Sequence, residues 1–149
     1  MSDLRPVILC IGSHQVSGDM LGPLVGSILL SEFRLNAYVY GTLERPVNGI
    51  NIGKYLNLIK NLHRDNLLIS VDAAVGASHE IGSIKYKSEG ITAGAALGRN
   101  SRVGGMGIVG VVAENKGDVL SNLMASDYYL VERLSRKIAT IIYKTINHL

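Results

Sequence analysis

Two aspartates stand where side chains do chemistry in α/β proteins. Asp19 lies in the segment Gly12-Ser-His-Gln-Val-Ser-Gly-Asp-Met-Leu-Gly-Pro23, which leaves the apolar run Val7–Ile11. Asp72 directly follows a second run, Leu67-Leu-Ile-Ser-Val71, and precedes Ala-Ala-Val-Gly. A carboxylate at the mouth of a buried strand must reach water or be paired. Adjacent strands lie ~4.8 Å apart, so carboxyls at neighbouring strand ends could share a proton or a metal. A shared proton leaves one acid and one base, able to activate a water. A metal held by Asp19 and Asp72 would need His or further carboxylates to complete its shell. The plainer reading is that Asp19 caps a helix and Asp72 a turn.

Phosphate binding fails on detail. A P-loop has four residues between its glycines and then Lys, whereas Gly12 and Gly18 are separated by five and Asp19 follows. The pattern Gly-x-Gly-x-x-Gly is absent from this loop too, and a carboxylate at a helix start repels phosphate. Glu44, in Gly41-Thr-Leu-Glu-Arg-Pro-Val-Asn48, either joins the site or pairs with Arg45 or Lys54 on the surface. His14, in the crevice loop, is a candidate base or ligand, with a solvated loop His as the commoner alternative. His79 is expected on an exposed turn, and His63 and His148 at helix ends. Cys10 falls inside the first run and is expected in the core rather than acting as a nucleophile with His14.

These positions acquire meaning from the elements around them. Val7–Ile11, closed by Gly12, has the unbroken apolar character of a strand buried on both faces. Met20–Phe33 reads as a helix with Pro23 in its first turn, and Ala37–Leu43 as a strand. Asn51–Leu62 reads as an amphipathic helix, Leu67–Val71 as a third buried strand, and Gly82–Lys87 as an alternating edge strand. Gly90–Gly107 reads as a long functional loop and Ile108–Ala113 as a further buried strand. A helix capped by Ser126 or Asp127 closes the chain, with a core stripe of Leu130, Leu134, Ile138, Ile141 or Ile142, and Ile146. Strands alternating with helices predict one α/β domain over 1–149, a three-layer sandwich whose mostly parallel sheet has helices on both faces. Ligands of such sheets bind beyond the carboxyl ends of the strands, which selects the loops after Ile11, Leu43, Val71 and Ala113.

Composition narrows the class. Of 149 residues, 47% are hydrophobic and 18% charged, which excludes general disorder. No apolar run approaches the ~20 residues of a membrane span, and no signal-peptide pattern opens the chain. A single cysteine gives no internal disulfide, which makes the cytoplasm the expected location. The net charge of +3 and the sparse aromatic residues, without a basic–aromatic cluster, argue against nucleic acid as partner.

The segments Ile8-Leu-Cys-Ile-Gly12, Gly18-Asp-Met-Leu-Gly-Pro-Leu-Val25, Tyr40-Gly-Thr-Leu-Glu-Arg-Pro-Val47, Val71-Asp-Ala73 and Gly107-Ile-Val-Gly-Val-Val112 resemble the spore protease family named YyaC. That family is similar to the germination protease of spore-forming bacteria and, more remotely, to hydrogenase maturation endopeptidases. The resemblance implies a phosphorylase/hydrolase-like fold and carries the catalytic aspartates of germination protease onto Asp19 and Asp72. It implies a protein or peptide substrate, small acid-soluble spore proteins by analogy, in the spore or forespore. With six residues before the first strand, no pro-segment like that of germination protease is expected. Maturation enzymes add a histidine from the later loop to bind nickel. Gly90–Gly107 has none, so no cofactor is expected.

Three readings follow. In the first, an endopeptidase uses Asp19 and Asp72 to activate water, with N–H groups of Gly12, Ser13 or the glycines at 104–107 holding the oxyanion. In the second, a metal-dependent hydrolase adds Glu44 or His14. In the third, the crevice binds a peptide or spore protein without cutting it. Assembly into a homo-oligomer is compatible with all three.

Overall fold

The structure is a computed structural model describing residues 3–93 and 101–148. Its central sheet uses five strands in the order β2-β1-β3-β7-β4. These are β1 (Val7–Cys10), β2 (Tyr38–Tyr40), β3 (Leu68–Gly76), β4 (Ile84–Lys87) and β7 (Met106–Glu114), with a separate hairpin of β5 (Ile91–Ala93) and β6 (Ser101–Val103). The first four of the row run parallel, and β4 is an antiparallel edge strand on β7. Helices α1 (Leu21–Ser31), α2 (Ile52–Leu62), α3 (Val119–Met124) and α4 (Tyr128–Asn147) cover the sheet.

The apolar run of β1 is unbroken because both of its faces are buried. Ile8 and Cys10 join α1 and α4 in one core, through Leu24, Val25, Leu134 and Ile138. Val7, Leu9 and Ile11 face the other core, with Ile52 and Ile59 of α2 and Ile91, Ala93 and Val103 of the hairpin. A mostly parallel sheet between two layers results, as the alternation of elements predicts.

Two glycines fix how closely α1 approaches the sheet. A Cβ on Gly22 would lie 2.0 Å from the Ile11 carbonyl oxygen, and one on Gly26 would lie 1.8 Å from that of Gly41. Neither position admits a side chain unless α1 moves away.

The structure corrects several boundaries. Strand β3 does not stop at Val71 but continues to Gly76, since Ala73, Ala74 and Val75 keep pairing with β7. The Gly90–Gly107 region is not one long loop, because β5 and β6 pair through it, Ile91 opposite Val103. Strands of three residues are too short to show a period; the expected loop's residues 94–100 lie outside the described ones. Helix α1 begins at Leu21, after a 3-10 turn at Gly18–Met20. Asp127, not Ser126, caps α4, accepting from the Tyr129 N–H at 2.9 Å. Ile142 rather than Ile141 continues the α4 core stripe.

Candidate active site

The chain leaves β1 toward α1 and β2 on one side, then returns through α2 to β3 on the other. Helices α1 and α2 accordingly lie on opposite faces, and the crevice of such a sheet opens between β1 and β3. Asp72 sits in this position. The Ile11 N–H donates to the Val71 carbonyl at 2.8 Å, so β1 ends level with Asp72 while β3 runs on beyond it. Asp72 is therefore inside a strand rather than at its end. Its Oδ1 accepts from the Ala73 N–H at 2.9 Å, and the residue is 3% exposed.

Asp19 comes back to the same place through the loop. The Ser13 N–H donates to the Asp19 carbonyl at 3.1 Å, and a Cβ on Gly12 would lie 2.1 Å from that oxygen. Gly12 lets the 3-10 turn seat against the exit of β1, and the turn also packs on β3. Asp19 is 9% exposed. Met20, not Asp19, holds the N-cap position of α1, and no side-chain cap bond forms there. Two buried aspartates are carried by neighbouring strands, one on the loop leaving β1 and one on β3.

Other candidates fall elsewhere. The Gly12 N–H donates to the Val47 carbonyl at 2.8 Å and that of Ser13 to Asp19, so neither amide is directed at a ligand. Gly104–Gly107 lie at the other end of the sheet. Met106 is opposite Ile69, and a Cβ on Gly105 would lie 2.4 Å from the Leu68 carbonyl oxygen. Their position corrects the expected oxyanion role. Glu44 is exposed and forms an ion pair with neither Arg45 nor Lys54. His14 is exposed, and His79 lies on an exposed 3-10 turn. His148 ends α4. Cys10 is in the core, where burial pushes its thiol far up from the usual range.

Among the described residues, no three His, Cys, Asp or Glu side chains come together to hold a metal. Residues 94–100 contain none of these types. The donor set thus does not fit the nickel site implied by the maturation-enzyme resemblance.

Sequence reasoning missed two features. His63 ends α2 as expected, but it is buried, with its Nε2 2.7 Å from the Tyr40 hydroxyl and its ring 4.4 Å from that of Tyr38. The other is a cleft of about 480 Å3 beside Asp72, lined also by Lys85, Lys87, Thr92, Arg102 and Asn115. Its signal was the alternation in Gly82–Lys87, which sends Lys85 and Lys87 to one face.

Known proteins resemble this chain in sequence and in fold. The family described as "Protein of unknown function (DUF1256)" matches residues 2–141. The chain is 36% identical over 107 residues to the uncharacterized protein YyaC of Bacillus subtilis (strain 168). That match covers 71% of this chain and 52% of the relative, so the chain spans about half the length of the curated relative it matches. The fold is similar to the Hydrogenase 3 Maturation protease, with a TM-score of 0.58, 11% identity, and 94% and 90% of the two chains covered. It is similar to an uncharacterized protein from Wolinella succinogenes, with a TM-score of 0.55, 14% identity and 97% and 99% covered. It is also similar to the NiFe hydrogenase maturation protease HycI of Thermococcus kodakarensis KOD1, with a TM-score of 0.50, 20% identity and 93% and 92% covered. At these identities the likeness is one of fold.

Proposed function

The chain belongs to the DUF1256 family, and from that premise we propose that it is an endopeptidase in which Asp19 and Asp72 together activate water for peptide-bond hydrolysis. The observation that carries the reading is the burial of both aspartates where β1 leaves the sheet beside β3. The similarity of its fold to two solved maturation proteases supports a hydrolytic role for that crevice.

In this mechanism the pair holds one proton. The ionised carboxylate takes a proton from water as its oxygen attacks the peptide carbonyl carbon, and the protonated partner donates toward the carbonyl oxygen. Collapse of the tetrahedral intermediate breaks the C–N bond, with a proton passed to the leaving nitrogen. Repulsion between two carboxylates held close together keeps their proton affinities apart, as the acid and base roles require.

The substrate is a protein, and by analogy with the resembling spore proteases we assign small acid-soluble spore proteins, met in the cytoplasm of the spore or forespore. Among the described residues, no helix is long and apolar enough to cross a membrane. The purified chain is expected to cleave such proteins, and Asp19→Asn or Asp72→Asn to abolish cleavage while leaving the thermal transition in place. Loss of activity on chelation, restored by a divalent ion, would replace this mechanism with a metal-dependent one. Tight binding without turnover would make the crevice a binding site only.

A further inference from the structure

We propose that the cleft beside Asp72 is a specificity subsite for an acidic side chain of the substrate, with Lys87 and Arg102 as the residues that recognise it; the assignment of a peptide as ligand rests on the reading above. Strand register builds the site. On one face of the sheet, Asp72 stands opposite Val109 and Val109 opposite Lys85. One step along the same face, Ser70 stands opposite Gly107 and Gly107 opposite Lys87. At the centre of the second row a Cβ on Gly107 would lie 2.3 Å from Ile91 Cγ2, so the hairpin packs directly on the sheet there, beside Lys87. The hairpin lies over these rows, with Thr92 and its cross-strand partner Arg102 lining the opposite wall.

The charges do not cancel. Among the described residues, three cations (Lys85, Lys87, Arg102) and one carboxylate (Asp72) line the cleft. Lys85 is committed to Glu80, whose carboxyl it holds below the ordinary range. Lys87 and Arg102 form no ion pair among the described residues. Arg102 Nη2 donates to the Glu89 carbonyl at 2.7 Å, which ties the guanidinium to the turn between β4 and β5 without neutralising it. Lys87 and Arg102 are both exposed and line the cleft from β4 and from β6, and two cations converging on one carboxylate attract it more strongly than either alone. The cleft's volume, about 480 Å3, falls within the range of small-ligand sites.

Position keeps the ligand's charge apart from the aspartate. Lys87 is two residues along β4 from Lys85, which is the cation in the Asp72 row. That spacing is about 7 Å along the strand. An acidic side chain held by Lys87 and Arg102 thus leaves Asp72 clear for a peptide group.

The test uses binding, so that it does not depend on cleavage. The amide signals of the full chain are followed while it is titrated with acetyl-Ala-Ala-Glu-Ala-Ala-amide and with its Gln counterpart. The Glu peptide is expected to bind about tenfold more tightly, as two charge-assisted hydrogen bonds imply, and to shift signals of Lys87, Arg102 and Thr92. Lys87→Gln with Arg102→Gln should erase the preference, while Lys87→Arg with Arg102→Lys should keep it in an equally folded protein. Equal affinity for the two peptides, no binding of either, or a preference that survives the double Gln change overturns the assignment. A Glu preference in a chain that never cuts leaves the subsite standing and removes the peptidase reading. Cleavage with no acidic preference does the reverse.

Discussion

Replacing Gly22 by Ala tests how the fold holds Asp19. The added Cβ would sit 2.0 Å from the Ile11 carbonyl oxygen and 2.7 Å from its carbon. An ordinary carbon–oxygen contact is about 3.3 Å, so helix and strand must separate by about 1.3 Å. The obstacle is backbone, so no rotamer change relieves it. Overpacking of this kind costs up to about 3 kcal/mol, and alanine's better helix propensity returns about 1 kcal/mol. A net loss of about 2 kcal/mol corresponds to a drop of about 6 °C in Tm for a chain of this size. The 3-10 turn carrying Asp19 runs directly into α1, so it moves with the helix. Misplacing a reacting group by about 1 Å costs on the order of 100-fold in rate. Gly53→Ala is the control, because nothing lies within 4 Å of the Cβ it would add in α2. It should raise stability by about 0.5 kcal/mol. Thermal unfolding followed by circular dichroism, with cleavage assayed below the transition, reads both effects. A Gly22→Ala protein as stable and active as the Gly53→Ala protein would refute the account of how α1 seats the aspartate.

Cys10 should react with a disulfide reagent only as fast as the native protein opens, and fully after denaturation, since its side chain is 0% exposed; rapid native labelling would place it outside the core. Tyr40→Phe removes the hydroxyl bonded to buried His63 and should cost about 1–3 kcal/mol in denaturant unfolding while sparing cleavage; lost activity at unchanged stability would tie that cluster to the site. Glu80 is held below its ordinary value of 4.5, first by the Lys85 hydrogen bond and then by the Ala77 N–H. Its contribution to stability is present in full above 4.5 and lost as pH falls through the lowered folded value. The stability gap between the native protein and Glu80→Gln should therefore narrow from pH 7 to pH 3, and a gap independent of pH would contradict this pairing.

Elements with long or unbroken patterns were legible in the sequence. Val7–Cys10 is apolar at every position because both cores need it, and α4 keeps its stripe over 20 residues. Asp72 could be found, but not its setting. A polar residue after five apolar or small ones looks like a strand end, whereas β3 continues because small residues behind it still fit against β7. The hairpin is built from strands of three residues, below the length at which alternation shows. The proposed oxyanion donors failed for a reason that only three dimensions supply. The Gly12 and Ser13 amides are used to hold the loop, and Gly104–Gly107 turn at the opposite edge. The basic wall needed the register of β4 on β7, since nothing in the sequence alone places Lys85 in the row of Asp72. The same held for His63, whose partners Tyr38 and Tyr40 come from β2, more than twenty residues away.

The central claim is that Asp19 and Asp72 act as one catalytic unit. The most direct measurement is the rate of cleavage of a small acid-soluble spore protein by the native chain, by Asp19→Asn, by Asp72→Asn and by the double variant, each verified as folded. Residues that work as a unit are grossly non-additive. Each single change should lower the rate by at least about 100-fold, as expected for loss of general acid–base catalysis, and the double change should lower it little further. Full activity in either single variant, or losses that simply multiply in the double variant, would contradict the account.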